Sequence, residues 1–183
     1  MTVVRLVRHG RAAAAWGAHV DPDLDHFGWE QARAVAARLA PLGPLPVLTS
    51  PLLRCVSTAE PLCVAWGVEP EITDAVAEIP SPQGVADTER VEWLRSAMTG
   101  TWTDLGDRYT TFRDGVADRI RRCTGDTVVF SHFVAINAVI GACLGDDRLV
   151  VRSLDNTSVT TVEVVHGELR LVEGGSEADT LIG

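Results

Sequence analysis

The sequence predicts an α/β fold: a three-layer sandwich with a mostly parallel central sheet flanked by helices and an antiparallel strand near the C-terminus. Three observations carry this. The runs "TVVRLV" (2–7) and "DTVVFS" (126–131) are short, β-branched and apolar at nearly every position, as strands buried on both faces are. Strand-like runs alternate with segments whose apolar residues recur at helical spacing, the pattern of a sheet with crossover helices. The last third breaks that alternation: "SVTTVEVVHGELRLVEGG" (158–175) reads as a hairpin turning at His166-Gly167.

Taken in order, the first strand ends at Arg8-His9-Gly10, and an Ala- and Asp-rich loop follows. "GWEQARAVAARLAPLG" (28–43) places Ala32, Val35, Ala36 and Leu39 on one helical face and closes at Pro41 and Gly43. "LPVLTS" (45–50) is a second strand. "PLLRCVSTAEPLCVAWG" (51–67) is a helix that opens on Pro and stops at Gly67. A weaker extended segment within 68–79 ends near Glu78, and "PSPQG" breaks the chain after it. Residues 87–123 read as two helices with "TGTWTDLGD" as the loop between them. "DTVVFS" then leads through His132 into the apolar helix "FVAINAVIGACLG" (133–145). The whole chain, 1–183, reads as one domain with a helical excursion at about 80–123.

Composition narrows the function. With 46% hydrophobic and 22% charged residues the chain is of globular type. Its net charge is −9, every basic side chain other than histidine is arginine, and no basic block exceeds Arg121-Arg122. A nucleic acid or an anionic membrane needs a basic face, so neither partner is expected. A small anionic substrate fits, because one pocket can be positive on an acidic protein. Cys55, Cys63, Cys123 and Cys143 form no C-x-x-C pair or finger spacing and read as reduced thiols. With no leader pattern and no membrane-length apolar run, the expected location is the cytoplasm.

In open α/β sheets, ligands bind beyond the carboxyl ends of the strands. The residues expected there are Arg8 and His9, Ser50 with Arg54 one helical turn on, Glu78, and Ser131 with His132. Guanidinium forks match phosphoryl oxygens, a neutral imidazole is a competent nucleophile toward phosphorus, and a carboxylic acid protonates a leaving oxygen. The set suits phosphate chemistry with no metal or other cofactor. Asp74, Asp87 and Glu89 lie on the same stretch as Glu78 and stay open as alternatives for the acid.

"LVRHG", "SPLLRCVSTA" and "FSH", in this order, resemble the histidine phosphatase superfamily, the phosphoglycerate-mutase-like proteins. "DPDLDHFGWEQARAVAARL", with Gly28, Gln31 and Ala32, is similar to the family's stretch after its first loop, and the resemblance runs from Val3 to about Val164. It implies His9 as a transiently phosphorylated nucleophile, a phosphate pocket of Arg8, Arg54 and His132, and Glu78 as proton donor. His132 would act in catalysis as well as in binding. The implied activity is hydrolysis of a small phosphomonoester through a phosphohistidine.

Several positions depart from the family pattern. Arg11 and Ala12 stand where an acidic residue and Ser or Thr usually follow R-H-G. Ala15 replaces the usual Asn, Phe133 replaces a Gly, and Ile79-Pro80-Ser81-Pro82 follows Glu78. These changes spare the phosphate core, speak against mutase activity, and make Arg11 a candidate substrate contact. Two rival readings accompany this one: a non-catalytic phospho-ligand-binding module on the same fold, and a metal-dependent hydrolase using His19, His26 and the aspartates of "HVDPDLDH". A calcium loop begun at Asp21 fails, since His26 and Ala32 stand where Gly and Glu are required. Asn156 is given no role, and Trp93 or Trp102 is a candidate lining of the substrate mouth.

Overall fold

A computed structural model describes residues 1–14 and 21–177. Ala15, Trp16 and His19 therefore lie outside the described residues. The elements are β1 (Thr2–Arg8), α1 (His26–Leu39), β2 (Val47–Thr49), α2 (Leu53–Trp66), β3 (Glu71–Ile72), α3 (Asp87–Ala97), α4 (Trp102–Leu105), α5 (Asp107–Arg121), β4 (Thr127–Ser131), α6 (Phe133–Leu144), β5 (Val159–Val165) and β6 (Glu168–Gly174).

The sheet has the order β3-β2-β4-β1-β5-β6. β1, β2, β3 and β4 pair in parallel, whereas β5 runs antiparallel to β1, and β6 antiparallel to β5. This is the mostly parallel sheet with an antiparallel C-terminal part that the sequence predicts. Side chains alternate across the strands, so each central strand feeds both faces. Val4, Leu6 and Val129 join a core built with α5, α6 and the excursion. Val7, Val128 and Phe130 join a second core with Val35 and Leu39 of α1 and Cys55 and Leu62 of α2. The two cores on opposite faces make the three layers. Phe133 through Gly141 of α6 are buried without a break, as its all-apolar sequence requires.

Element ends differ from the expected ones for local reasons. α1 starts at His26 because the Asp25 carboxylate accepts the Gly28 N–H and caps the first turn. The helix expected from Pro51 begins only at Leu53, and Ser50-Pro51-Leu52 forms the entry. The third strand shrinks to two exposed residues at the sheet edge. The expected loop between the excursion helices contains the short helix α4, capped by Thr101, whose Trp102 is fully buried. Trp102 therefore belongs to the core and not to a substrate mouth.

Candidate active site

Sheet register brings the predicted residues together. Arg8 pairs with Ser131, and Thr49 with Phe130, so His9, His132 and Ser50 each stand one residue beyond the end of adjacent parallel strands. The ladder continues past the strand ends: His9 N–H donates to Ser131 O at 3.1 Å and Ser50 N–H to Phe130 O at 3.0 Å. Ser131 Oγ donates to Val76 O at 2.7 Å, which fastens the 3₁₀ turn Asp74–Val76, and with it Glu78, to the same rim.

The backbone around His9 is held from three sides. Asn156 Nδ2 donates to His9 O at 3.0 Å, Gly10 N–H donates to Thr58 Oγ1 at 3.0 Å, and Thr157 N–H donates to Arg8 O at 3.0 Å. The loop packs closely on α1: a Cβ at Gly10 would stand 2.8 Å from Gly28 O, and one at Gly28 only 2.1 Å from Arg11 O. Gln31 Oε1 accepts the Arg11 N–H at 2.9 Å. Gly28 and Gln31 thus serve the shape of the nucleophile loop.

The hydrogen bonds define both imidazole tautomers. His9 Nδ1 lies 2.8 Å from Gly10 O. A carbonyl only accepts, so Nδ1 carries the proton and Nε2 presents a lone pair. Arg54 Nε–H donates to that Nε2 at 3.3 Å, and Arg54 Nη2 donates to His132 Nδ1 at 3.2 Å. His132 therefore has its proton on Nε2, which donates to Ser50 Oγ at 2.7 Å. The two rings meet edge to face, 5.3 Å between centroids. Arg8 Nη1 donates to Leu154 O at 2.6 Å, its guanidinium lies 5.1 Å from the centroid of Phe133, and its Nε is buried without a partner.

Burial first, then the charges of Arg54 and Arg8, hold His9 well below its usual pKa. Burial and then Arg54 do the same for His132. Both rings are neutral near neutral pH. Burial pushes the Glu78 carboxyl up, against the opposing Ile79 N–H and the charges of Arg54, Arg90 and Arg8. Glu78 Oε1 accepts the Ile79 N–H at 2.9 Å, while Oε2 lies 3.9 Å from His132 Nδ1 and is buried with no hydrogen-bond partner. This Oε2 and Arg8 Nε are thus two buried polar atoms with bonding capacity left for a water or a ligand. Of the alternative acids, Asp74 and Glu89 are exposed, and Glu89 accepts the Ala86 N–H at the start of α3. The side chain of Asp87 lies outside the described residues.

Arg8, His9, Arg54, Glu78 and His132 are thus assembled in one place, and Arg11 is not. Its Nε donates to Asp25 Oδ2 at 2.6 Å and its guanidinium covers the ring of Phe27. The aspartates of "HVDPDLDH" serve the backbone: Asp21 accepts the Leu53 N–H at 3.0 Å, Asp23 the Leu24 N–H, and Asp25 the Gly28 N–H. His26 is exposed and pairs with Glu30. Among the described residues no group of three or more His, Cys, Asp or Glu is arranged to hold a metal ion, and no helix is long and apolar enough to cross a membrane. All four cysteines are free; Cys55, whose Sγ lies 3.4 Å from His132 Nε2, is held as a thiol by burial.

Sequence reasoning missed Thr58, Asn156 and Asp21. Thr58 had a signal, since it lies one turn after Arg54 on the same helical face. Asn156 stands out in the sequence only as a polar residue ahead of the last strands, where the family often carries one, and its place beside His9 depends on β5 pairing with β1. Asp21 Oδ1 stands 3.9 Å from Arg54 Nη1 through the same contact that caps α2.

Comparison with known proteins identifies the family and the fold. The family model of the histidine phosphatase superfamily (branch 1) matches residues 4–176. Solved structures share the fold at low identity. A phosphoserine phosphatase from Entamoeba histolytica, in complex with 3-phosphoglyceric acid, is 22% identical with a TM-score of 0.76, covering 96% of this chain and 98% of that one. A protein from Bacillus stearothermophilus is 20% identical with a TM-score of 0.78, covering 97% and 98%. A mycobacterial glucosyl-3-phosphoglycerate phosphatase, in a complex with VO3, is 22% identical with a TM-score of 0.71, covering 96% and 100%. No match was found among curated protein sequences.

Proposed function

Because this chain belongs to the histidine phosphatase superfamily, we propose that it hydrolyses a small phosphomonoester through a phosphohistidine on His9, without a metal. One observation carries the reading. The tautomer locked by Gly10 O leaves a neutral His9 with its Nε2 lone pair facing the Nε–H of Arg54.

In the first step the Nε2 lone pair forms the N–P bond as the ester P–O bond breaks. Arg8 and Arg54 donate to the phosphoryl oxygens, with Arg54 turning from the imidazoles to the phosphoryl group, and His132 is the third donor in the tautomer that carries its proton on Nδ1, Ser50 Oγ–H then donating to Nε2. Preorganised donors of this kind contribute about 3–4 kcal/mol each to transition-state stabilisation. Glu78, protonated because burial raises its pKa, gives its proton to the leaving oxygen, which departs as the alcohol. In the second step water attacks phosphorus, its proton passes to the Glu78 carboxylate, and the N–P bond breaks. Inorganic phosphate leaves with His9 and Glu78 restored.

The test is a rapid quench with a ³²P-labelled ester. A phosphoprotein that is acid-labile, alkali-stable and missing in His9→Asn is expected. A label that survives acid, or one retained in His9→Asn, contradicts the proposal. Tight binding of the ester without turnover establishes the binding module instead.

A further inference from the structure

One corner of the Arg54 guanidinium is faced by a charge that the proposed mechanism does not use. Nε–H and Nη2 serve the imidazoles of His9 and His132. The remaining nitrogen, Nη1, stands 3.9 Å from Asp21 Oδ1. Among the described residues no other carboxylate forms an ion pair with Arg54 or with Arg8. His9 and His132 are held neutral, and burial pushes the Glu78 carboxyl toward its protonated form. Asp21 is therefore the one anionic side chain paired with a cation of the pocket.

The carboxylate is fixed in that place by the backbone. Oδ1 accepts the Leu53 N–H at 3.0 Å, and Oδ2 lies 3.3 Å from the same nitrogen. Leu52, at the N-cap of α2, has no side chain to cap with, so the first turn takes its acceptor from a residue 32 positions earlier. The helix dipole favours a negative charge at this end. The same turn that carries Arg54 into the pocket thus holds an anion beside it. A cap, however, needs only an acceptor, and Asn or Ser would supply one as well. At 3.9 Å the carboxylate makes no hydrogen bond to Arg54 and acts on it through charge. The Arg54 side chain is 9% exposed and that of Asp21 33%, so water screens the pair only in part.

We propose that Asp21 sets the grip of the phosphate pocket: its charge offsets that of Arg54, so that ester and inorganic phosphate are held more weakly than the two arginines alone would hold them. The proposal rests on the phosphatase reading and adds to that site a residue that limits product retention. Asp21 acts through Arg54 and touches no reacting atom, so it is a positioning residue. No bond forms or breaks in this role.

The experiment measures the Kd of inorganic phosphate by titration calorimetry, with KM and kcat for one alkyl phosphate, in the wild type, Asp21→Asn and Asp21→Glu. Asn keeps an oxygen for the Leu53 N–H and removes the charge. In Asp21→Asn the phosphate Kd and the KM should fall together by about 3- to 10-fold, with no rise in kcat, because the charge is felt alike by bound ester and transition state. The gain should shrink at high salt. Asp21→Glu keeps the charge and should bind phosphate more weakly than Asp21→Asn. Damage to the pocket would loosen phosphate, so a tighter Kd separates the charge from a structural role. Thermal melting checks that the variants fold, and Asp21→Ser, a second neutral cap, carries the same expectation if Asp21→Asn does not. A Kd unchanged or raised in a folded neutral variant overturns the proposal. So does an Asp21→Glu that tightens phosphate as much as Asp21→Asn. Absence of turnover and of a His9 label with every ester defeats the phosphatase reading, while the phosphate titration still decides the role of Asp21, and the two failures are thereby distinguished.

Discussion

Replacing Glu78 by Gln is the sharpest perturbation of the proposed mechanism, because it removes a proton while leaving the shape of the site in place. The amide oxygen still accepts the Ile79 N–H that Glu78 Oε1 accepts at 2.9 Å, and volume and burial are conserved. What changes is the atom 3.9 Å from His132 Nδ1, which has no hydrogen-bond partner and ceases to be an acid. An alkoxide is a very poor leaving group, so loss of general acid catalysis should lower kcat/KM for an alkyl phosphate by about 10²–10⁴-fold. p-Nitrophenolate departs largely unaided, and the corresponding loss should stay within about tenfold. The assay is release of inorganic phosphate over a series of esters, plotted as log kcat/KM against leaving-group pKa. The variant should give the steeper line. Its pH profile should also lose the alkaline limb, since in the wild type the rate falls as the pH rises through the raised pKa of Glu78. Parallel lines for wild type and variant would refute the assignment and return Asp87, whose side chain is undescribed, as the acid to test.

Further outcomes follow from other contacts. Stability should fall on acidification below pH about 6.5, because the unfolded chain takes up protons on two imidazoles that the folded chain holds neutral. Glu78 opposes this by keeping its proton in the folded state, so Glu78→Gln should steepen the fall, as read by urea denaturation at a series of pH values. Thr58→Val leaves the Gly10 N–H without its acceptor and should cost about 1–3 kcal/mol of stability; a cost below about 0.5 kcal/mol would show that the loop re-forms another bond. Asn137, which receives the Val151 and Arg152 N–H groups and donates to Phe133 O and Arg152 O, should cost about 2–4 kcal/mol as Asn137→Ala in the same denaturation assay. Dialysis against a chelator should leave the rate unchanged, and restoration by added magnesium, zinc or manganese after such treatment would contradict metal-independent turnover.

The parts of the molecule that were legible in the sequence are those with a local cause. β1 and β4 announce themselves by nearly continuous apolar runs, β4 being buried at every position, and their ends place Arg8, His9 and His132 by the general behaviour of parallel sheets. α2 carries Arg54 to the rim because the residue lies in the first turn after β2. β3 was blurred because two exposed residues at an edge have no apolar alternation to read. The start of α1 was legible only through Asp25, a capping signal obscured by neighbouring aspartates that invited a metal reading. Asn156 and Arg90 were opaque for a different reason. Their neighbours, His9 O and Ile79 O, are main-chain atoms brought close by tertiary folding, and nothing in the residues between them records that approach.

Arg54 divides its donors between the nucleophile and His132. In the proposed mechanism the His9 Nε2 lone pair leaves the Arg54 Nε–H to form the N–P bond, and it stands ready to reclaim that donor once the bond is broken. On that mechanism the anion would be held in competition with the protein's own rings, which would limit how tightly inorganic phosphate is retained. A cradle of bare positive charge would grip its product as firmly as its transition state. The proposed cradle would favour release, the cycle closing by an exchange of hydrogen bonds internal to the site.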